Sequence, residues 1–302
     1  MRARLDEMVN HSLHQGRAVP AFTCYDFTTA TALVEAAEEM KHSIALLVAP
    51  RTASRPDGLR LISALRGLAD EASVPVSIQL DHAKDLQVIH AAVRAGADAV
   101  LADGSTLDFE TNIALVHAAS DLVGPDVVLE AELGGLPGDE DKAFINQASG
   151  ITDPGQVEEF VRRSGAHLLA VSVGNVHGHY KGRPEIRWDV MGLIEQQSQV
   201  PLVLHGASGI PKQDIARASS FNVGKINVNT ELRTEILSTI VSSAGDHQMD
   251  GENLAGLLTD WSGAARLFGS RMLEILTSDT DTSRETGGPA VARCLHPAEL
   301  MQ

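Results

Sequence analysis

The stretch Val200-Pro-Leu-Val-Leu-His205-Gly-Ala-Ser208-Gly-Ile-Pro211 is a strand, a loop and the start of a helix written in twelve residues. An apolar run of strand type ends in a histidine, a Gly/Ser loop follows, and a helix-starting proline closes it. A histidine at the tip of a buried strand is placed to bind a metal ion. The loop after it offers backbone N–H groups and a hydroxyl to an anion. The plain alternative for this stretch alone is a capped turn and a partly buried histidine.

Outward from this stretch the same unit recurs in both directions. Strand-like apolar runs fall at 18–24, 43–49, 75–80, 98–102, 127–133, 167–173, 200–204 and 225–228. Helical periodicity follows each, at 27–40, 58–72, 85–95, 108–122, 154–163, 188–197, 212–219 and 231–243, and residues 1–17 form a helix before the first strand. The strands are near-continuous apolar runs, as strands buried on both faces should be. Eight alternating units with short connections predict an α/β fold, a (β/α)8 TIM barrel with an extra C-terminal helix or helices at 253–277. Residues 1–277 read as one domain, and 278–302, polar with Gly and Pro, as a flexible tail. A doubly wound open sheet is the alternative. No Gly-x-Gly-x-x-Gly follows the first strand, which weakens a dinucleotide-binding reading.

Composition narrows the partners. The chain has 302 residues, 43% hydrophobic, and a net charge of −16 with no basic block, which argues against nucleic acid and anionic membranes. Cys24 and Cys294 make neither a disulfide framework nor a CxxC metal pattern. No apolar run approaches the ~20 residues of a membrane span. The start Met-Arg-Ala-Arg-Leu-Asp-Glu lacks the apolar core of a secretion signal, so a soluble cytoplasmic protein is expected.

A barrel places its chemistry at the C-terminal ends of its strands. There the sequence puts Asp81-His82, Asp103-Gly-Ser105, Glu130 and Glu132, Gly174-Asn-Val-His177-Gly178, His205-Gly-Ala-Ser208, and Asn227-Val-Asn229-Thr230. Three histidines from three strands can form a zinc site with an open position. Each alone reads as a structural histidine; together, His82, His177 and His205 all fall at strand ends, whereas His90 and His117 fall in helices.

These motifs resemble those of the class II, zinc-dependent ketose-bisphosphate aldolases, the fructose- and tagatose-bisphosphate aldolase type, over about residues 19–233. They are Gln79-Leu-Asp81-His82, Asp103-Gly-Ser105, Glu130-Ala-Glu132-Leu-Gly134, Gly138-Asp-Glu140-Asp141, Val173-Gly-Asn-Val-His177-Gly178, Leu204-His205-Gly-Ala-Ser208-Gly-Ile-Pro and Lys225-Ile-Asn227-Val-Asn229-Thr230. The resemblance implies one catalytic Zn2+ held by His82, His177 and His205, with Glu132 matching an alternative metal position. It implies Asp81 as catalytic acid/base and Glu140 as a proton-handling residue on a mobile loop. It makes Gly178, Gly206, Ser208, Asn227 and Thr230 phosphate-binding positions, with Asn229 beside them in the substrate site. It also implies a monovalent cation near the phosphate, a small phosphorylated sugar as substrate, and a homodimer or homotetramer. The expected reaction is aldol cleavage of a ketose (bis)phosphate, such as fructose 1,6-bisphosphate, to dihydroxyacetone phosphate and an aldehyde.

The chemistry agrees with the residues. A metal ion chelated by substrate oxygens stabilises as a Lewis acid the charge that develops in cleavage. A carboxylate must take the C4 hydroxyl proton and return it in condensation. Neighbours on a strand point to opposite faces, so using both Asp81 and His82 requires the strand to have ended at the rim. The plain alternatives are a helix cap for Asp81, Ser208 and Thr230, and for Glu132 an acceptor that fixes a histidine tautomer.

The sequence departs from the family at Thr23, Arg51, Pro137, Asp139 and Asn229. Arg51 reads as a solvated surface side chain, and no arginine can be assigned to a second phosphate. A homologue with a different phosphorylated substrate, or a catalytically silent one, is therefore the alternative. A metal-dependent barrel hydrolase would want His-x-His on the first strand, which has no histidine. A Schiff-base aldolase would want a lysine on a barrel strand; Lys225 reads as opening strand eight at the wrong end, and Lys181 lies in a loop.

Overall fold

The computed structural model describes residues 3–138, 142, 144–146 and 150–277. The eight barrel strands are β1 (Val19–Thr23), β2 (Ile44–Val48), β3 (Val76–Ala83), β4 (Ala99–Ala102), β5 (Val128–Leu133), β6 (Leu168–Val171), β7 (Leu202–Leu204) and β8 (Val223–Val228). All run parallel, each beside its neighbour in sequence. β1 pairs β8, Val19 opposite Lys225, so the sheet is closed and the open-sheet alternative is excluded. The helices are α1 (Leu5–His14), α2 (Phe27–Met40), α3 (Pro50–Ala53), α4 (Gly58–Glu71), α5 (Leu86–Ala95), α6 (Phe109–Val123), α7 (Val157–Ser164), α8 (Trp188–Gln197), α9 (Lys212–Arg217), α10 (Thr230–Met249) and α11 (Leu254–Thr277). This is the expected (β/α)8 TIM barrel.

Two apolar layers hold it. The larger lies between the sheet and the helices, with Ile44, Leu46, Ile78, Leu80, Leu129 and Phe160 fully or almost fully buried. The smaller fills the floor of the barrel, where α1 lays Leu5, Met8 and Val9 on Val19, Ala45, Ala99, Val128 and Leu168 from the starts of five strands. The helix seats closely because β8 carries Gly224; a Cβ there would stand 2.5 Å from Val9 Cγ1. With the floor filled by apolar side chains, the polar groups inside the barrel lie above it, toward the C-terminal ends of the strands.

Three details differ from expectation, and one open alternative is resolved. Pro50 starts a four-residue helix, α3, that the sequence reading missed. The segment expected as helix from 154 opens with a 3-10 turn, Pro154–Gln156. Of the one or more helices expected over 253–277, the structure has a single one, the 24-residue α11. Inside the long loop after β5, Ile145–Asn146 pairs in parallel with His179–Tyr180 in the loop after β6. Among the described residues, no helix is long and apolar enough to cross a membrane.

Candidate active site

The site begins with an irregularity in β3. Leu80 pairs with Val100 and Ala83 with Ala102, so three steps on β3 span two on β4. This is a β-bulge, and His82 takes the left-handed backbone conformation at φ +46°. The expectation that the strand must end before Asp81 and His82 could share a space is corrected. The strand continues to Ala83, and the bulge brings both side chains to the same rim. Asp81 Oδ2 accepts a long hydrogen bond from Asn227 Nδ2 on β8 (3.4 Å). Asp81 is not a helix cap; Asp85 caps α5, accepting from the Gln87 N–H (2.8 Å).

His82 meets His177 and His205 in a compact triangle, with ring centroids 5.0 and 4.8 Å from His82 and 6.0 Å between the other two. One nitrogen from each lies within 4.8 Å of the others. Carboxylates hold the rings from behind. His82 Nδ1 donates to Asp103 Oδ2 (3.1 Å), which turns the other nitrogen away from the carboxylate. His205 Nε2 donates to Glu130 Oε1 (2.9 Å), leaving Nδ1 fully buried and without a hydrogen bond. Glu132 Oε2 stands between them, 3.5 Å from His82 Nδ1 and 3.6 Å from His205 Nδ1. His82, Asp103 and Glu132 form a second group that could hold a cation.

Three imidazoles from three strands, oriented by carboxylates and with an unused buried nitrogen, fit a zinc-type ion with an open coordination position. Burial opposes charge on His205, but the Glu130 hydrogen bond and the Glu132 carboxylate push its pKa up to about 9 in the metal-free protein. Burial likewise opposes charge on Asp103, and the His82 and Ser105 contacts override it, holding the carboxyl well below the usual range.

Below the histidines, a polar layer crosses the barrel. Lys225 is fully buried, its Nζ 2.8 Å from Glu130 Oε2 and 2.7 Å from Asn227 Oδ1. Gln79 Nε2 donates to the same Glu130 oxygen (2.8 Å). Despite burial, the Lys225 charge and the His205 hydrogen bond keep the Glu130 carboxyl well below its ordinary range. Lys225 therefore does not open its strand, as the sequence suggested. β8 starts at Val223, and Lys225 points into the barrel, engaged in an ion pair.

The expected anion-binding residues gather on adjoining loops. Gly178 and Gly206 both have positive φ. Ser208 Oγ accepts from the Glu231 N–H at the start of α10 (3.4 Å), and Glu231 Oε1 accepts from the Gly209 N–H (2.8 Å). Ser208 does not cap the helix that follows it, α9, whose N-cap is Pro211 without a side-chain bond; its contact instead joins the loop after β7 to α10. Thr230 is the first, buried residue of α10. Asn227 has both polar side-chain atoms engaged inside the barrel, Oδ1 with Lys225 and Nδ2 with Asp81. Asn229 donates to the Tyr25 hydroxyl (3.2 Å), which also accepts from Arg233 NH1 (3.3 Å). Thr23 is buried at the end of β1, and Arg51 is exposed on α3.

Two further residues fix the histidine loops. Asn175 Nδ2 donates to the His205 carbonyl (3.0 Å), and the Tyr180 hydroxyl donates to the Gly206 carbonyl (2.9 Å). Glu140 lies outside the described residues. Flanking parts of its loop do reach the site: the His177 N–H donates to Pro137 O (3.0 Å) and Asn146 Nδ2 to His177 O (2.8 Å). Lys225 and the role of Glu130 were missed in the sequence. The available signal is the i, i+2 polar pairing Gln79-x-Asp81, Glu130-x-Glu132 and Lys225-x-Asn227, which puts both members on one face of a strand.

A closed parallel barrel with three histidines and an aspartate at its C-terminal rim has the constitution of a metal-assisted barrel enzyme. The model of the class-II fructose-bisphosphate aldolase family matches residues 3–275, and the chain belongs to that family. It is an aldolase, a carbon–carbon lyase. It is 40% identical over 220 residues to the D-tagatose-1,6-bisphosphate aldolase subunit GatY of Klebsiella oxytoca, covering 72% of this chain and 78% of that protein. Among solved structures, the YdjI aldolase of Escherichia coli K12 superposes with a TM-score of 0.82 at 29% identity, covering 93% of this chain and 99% of the other. A putative fructose-1,6-bisphosphate aldolase of Coccidioides immitis gives 0.81 at 26% identity, covering 90% and 96%.

Proposed function

We propose that this enzyme carries out reversible, zinc-dependent aldol cleavage of a ketose 1,6-bisphosphate, releasing dihydroxyacetone phosphate and a phosphorylated aldehyde. The observation that carries this reading is the β3 bulge, which sets a carboxylate, Asp81, beside an imidazole, His82, that meets two more. His82, His177 and His205 would hold the zinc ion, and Glu132 offers it a second position. When bound, the ion supplies Lewis-acid polarisation of the substrate carbonyl. Asp81 takes the C4 hydroxyl proton as the C3–C4 bond breaks and returns it in condensation. Glu140 gives a proton to the carbon that was C3 of the ketose, the hydroxymethyl carbon C1 of the released dihydroxyacetone phosphate, and removes it in condensation. Gly178, Gly206, Ser208 and Thr230 bind the dihydroxyacetone-side phosphate through loop N–H groups, hydroxyls and the start of α10, with a monovalent cation beside it. Asn227 orients Asp81, and Asn229 faces the substrate from Tyr25. The enzyme works as a homodimer or homotetramer in the cytoplasm.

Tagatose 1,6-bisphosphate is favoured over fructose 1,6-bisphosphate by the 40% identity to the tagatose enzyme subunit. A second reading, another aldehyde half, is favoured by Thr23 and by the Tyr25–Asn229–Arg233 contacts at the rim. The test is exchange of the C1 protons of dihydroxyacetone phosphate into heavy water by zinc-loaded enzyme, with cleavage of both ketose bisphosphates measured in parallel. His82→Ala should lose exchange and cleavage together. Asp81→Ala should lose cleavage and keep exchange, because dihydroxyacetone phosphate has no C4 hydroxyl. No exchange by an enzyme with bound zinc would refute the dihydroxyacetone phosphate assignment; exchange without cleavage of either ketose would establish the second reading.

A further inference from the structure

The buried ammonium of Lys225 sits where two short chains of contacts meet. One runs from Nζ to Glu130 Oε2 (2.8 Å), and from Glu130 Oε1 to His205 Nε2 (2.9 Å). The other runs from Nζ to Asn227 Oδ1 (2.7 Å), and from Asn227 Nδ2 to Asp81 Oδ2 (3.4 Å). Each reaches, in two links, a residue to which the proposed function gives a role. Lys225, Glu130 and His205 are completely buried.

A buried ion pair is weak support for stability, because apolar residues of similar volume often serve the fold as well or better. The floor of this barrel is in fact built that way, from alanine, valine, leucine and methionine. A charged layer one step above it therefore calls for an account other than packing. Its geometry supplies one. An ionised Glu130 can only accept, so it keeps a proton on His205 Nε2 and makes Nδ1 the nitrogen that offers a lone pair to a metal ion once its own proton is displaced. Lys225 can only donate, so it selects the Asn227 rotamer that presents Oδ1 downward and Nδ2 toward Asp81.

We propose that Lys225 is a positioning residue that sets both halves of the site at once: the tautomer of one metal ligand through Glu130, and the placement of the acid/base through Asn227. It touches neither substrate nor metal. The inference rests on the proposed roles of His205 and Asp81. Removing Lys225 should weaken the metal site and the acid/base together, although the two are on different strands.

The experiment compares wild type, Lys225→Met and Lys225→Met/Glu130→Met, using zinc affinity by chelator competition, kcat and KM at saturating zinc, and thermal unfolding. Lys225→Met should bind zinc about 10- to 100-fold more weakly. At saturating zinc it should still lose about tenfold or more in kcat, with KM little changed, because the Asp81 arm is independent of metal occupancy. The double variant removes the uncompensated carboxylate, so it should regain thermal stability while recovering neither readout. A stable double variant with wild-type zinc affinity and kcat would overturn the proposal. So would imidazole nitrogen NMR of the unaltered zinc-loaded enzyme showing His205 protonated at Nδ1, a result that needs no variant to fold. If wild type itself shows no zinc binding dependent on His82, the functional reading fails. If wild type behaves as proposed and the Lys225 variants match it, only the positioning role fails.

Discussion

Replacing Gly206 by alanine adds one methyl group at the junction of two histidine loops. Gly206 sits at φ +61°, and its Cβ would stand 2.1 Å from the Val176 carbonyl oxygen and 2.7 Å from the carbonyl carbon. An ordinary carbon–oxygen contact is about 3.3 Å or more, so the loops must part by roughly 1.2 Å. Val176 precedes His177 and Gly206 follows His205, so parting the loops separates two of the three imidazoles. A displacement of about 1 Å at a reacting centre can cost on the order of 100-fold in rate. The left-handed backbone adds about 1–2 kcal/mol against any residue with a Cβ.

Gly165 supplies the control. It has φ +70° at the end of α7, and a Cβ there meets nothing within 4 Å. Gly165→Ala should lose only the conformational increment, with kcat/KM unchanged. Gly206→Ala should lose that increment, about 1–3 kcal/mol more for overpacking, and on the order of 100-fold in kcat/KM at saturating zinc. Urea unfolding and steady-state cleavage measure the two. Gly206→Ala within threefold of wild-type kcat/KM, or Gly165→Ala losing as much activity as Gly206→Ala, would refute the reasoning.

Zinc affinity should rise with pH up to about 9, the value to which His205 is pushed in the metal-free protein, because the ion must displace that proton. Each pH unit below it costs about 1.4 kcal/mol of binding. Calorimetry in buffers of different ionisation enthalpy should show proton release at neutral pH, and an affinity flat between pH 6 and 9 would contradict the assignment. The sign for metal-free stability is opposite. The raised His205 pKa contributes fully below the unfolded value of about 6.5, and that contribution is lost as pH rises through about 9. Arg66, buried at the floor, bonds Asp98 and, at 2.9 Å, Asp70; Arg66→Met should cost about 3 kcal/mol by removing the cation that faces the largely buried Asp98 carboxylate, which also accepts from Ser77 and Ile78. Cleavage at the opposite rim should be untouched, and an unchanged melting temperature would count against this account.

The barrel was legible because its strands are covered on both faces and read as unbroken apolar runs, and because Asp26, Asp85 and Asp108 cap the helices that follow them. α2 and α8 fall where the periodicity put them. β3 was read three residues too short, since Asp81 and His82 look like a strand ending and only the paired strand reveals the bulge. The three histidines were legible as strand-end residues. Their supports were not, because a contact such as Lys225 to Glu130 spans 95 residues and depends on the barrel closing. The plain alternatives also had to await the structure: neither Asp81 nor Ser208 caps the helix that follows it, and Ser208 contacts the start of α10, a helix of the next unit.

The extra residue in β3 makes the site sensitive to chain length rather than to composition. Only Asp81 and His82 stand between Leu80 and Ala83, and both of those flanking residues belong to the apolar layer beneath the helices. Deleting either one would restore plain alternation, leaving the other facing into the barrel alone. Substitution there trades one side chain for another; a single-codon deletion removes a whole chemical function while leaving almost every atom of the sheet in place. Shuffling or grafting of this barrel should therefore treat Gln79–Ala83 as one indivisible segment, cut on either side of it but never within.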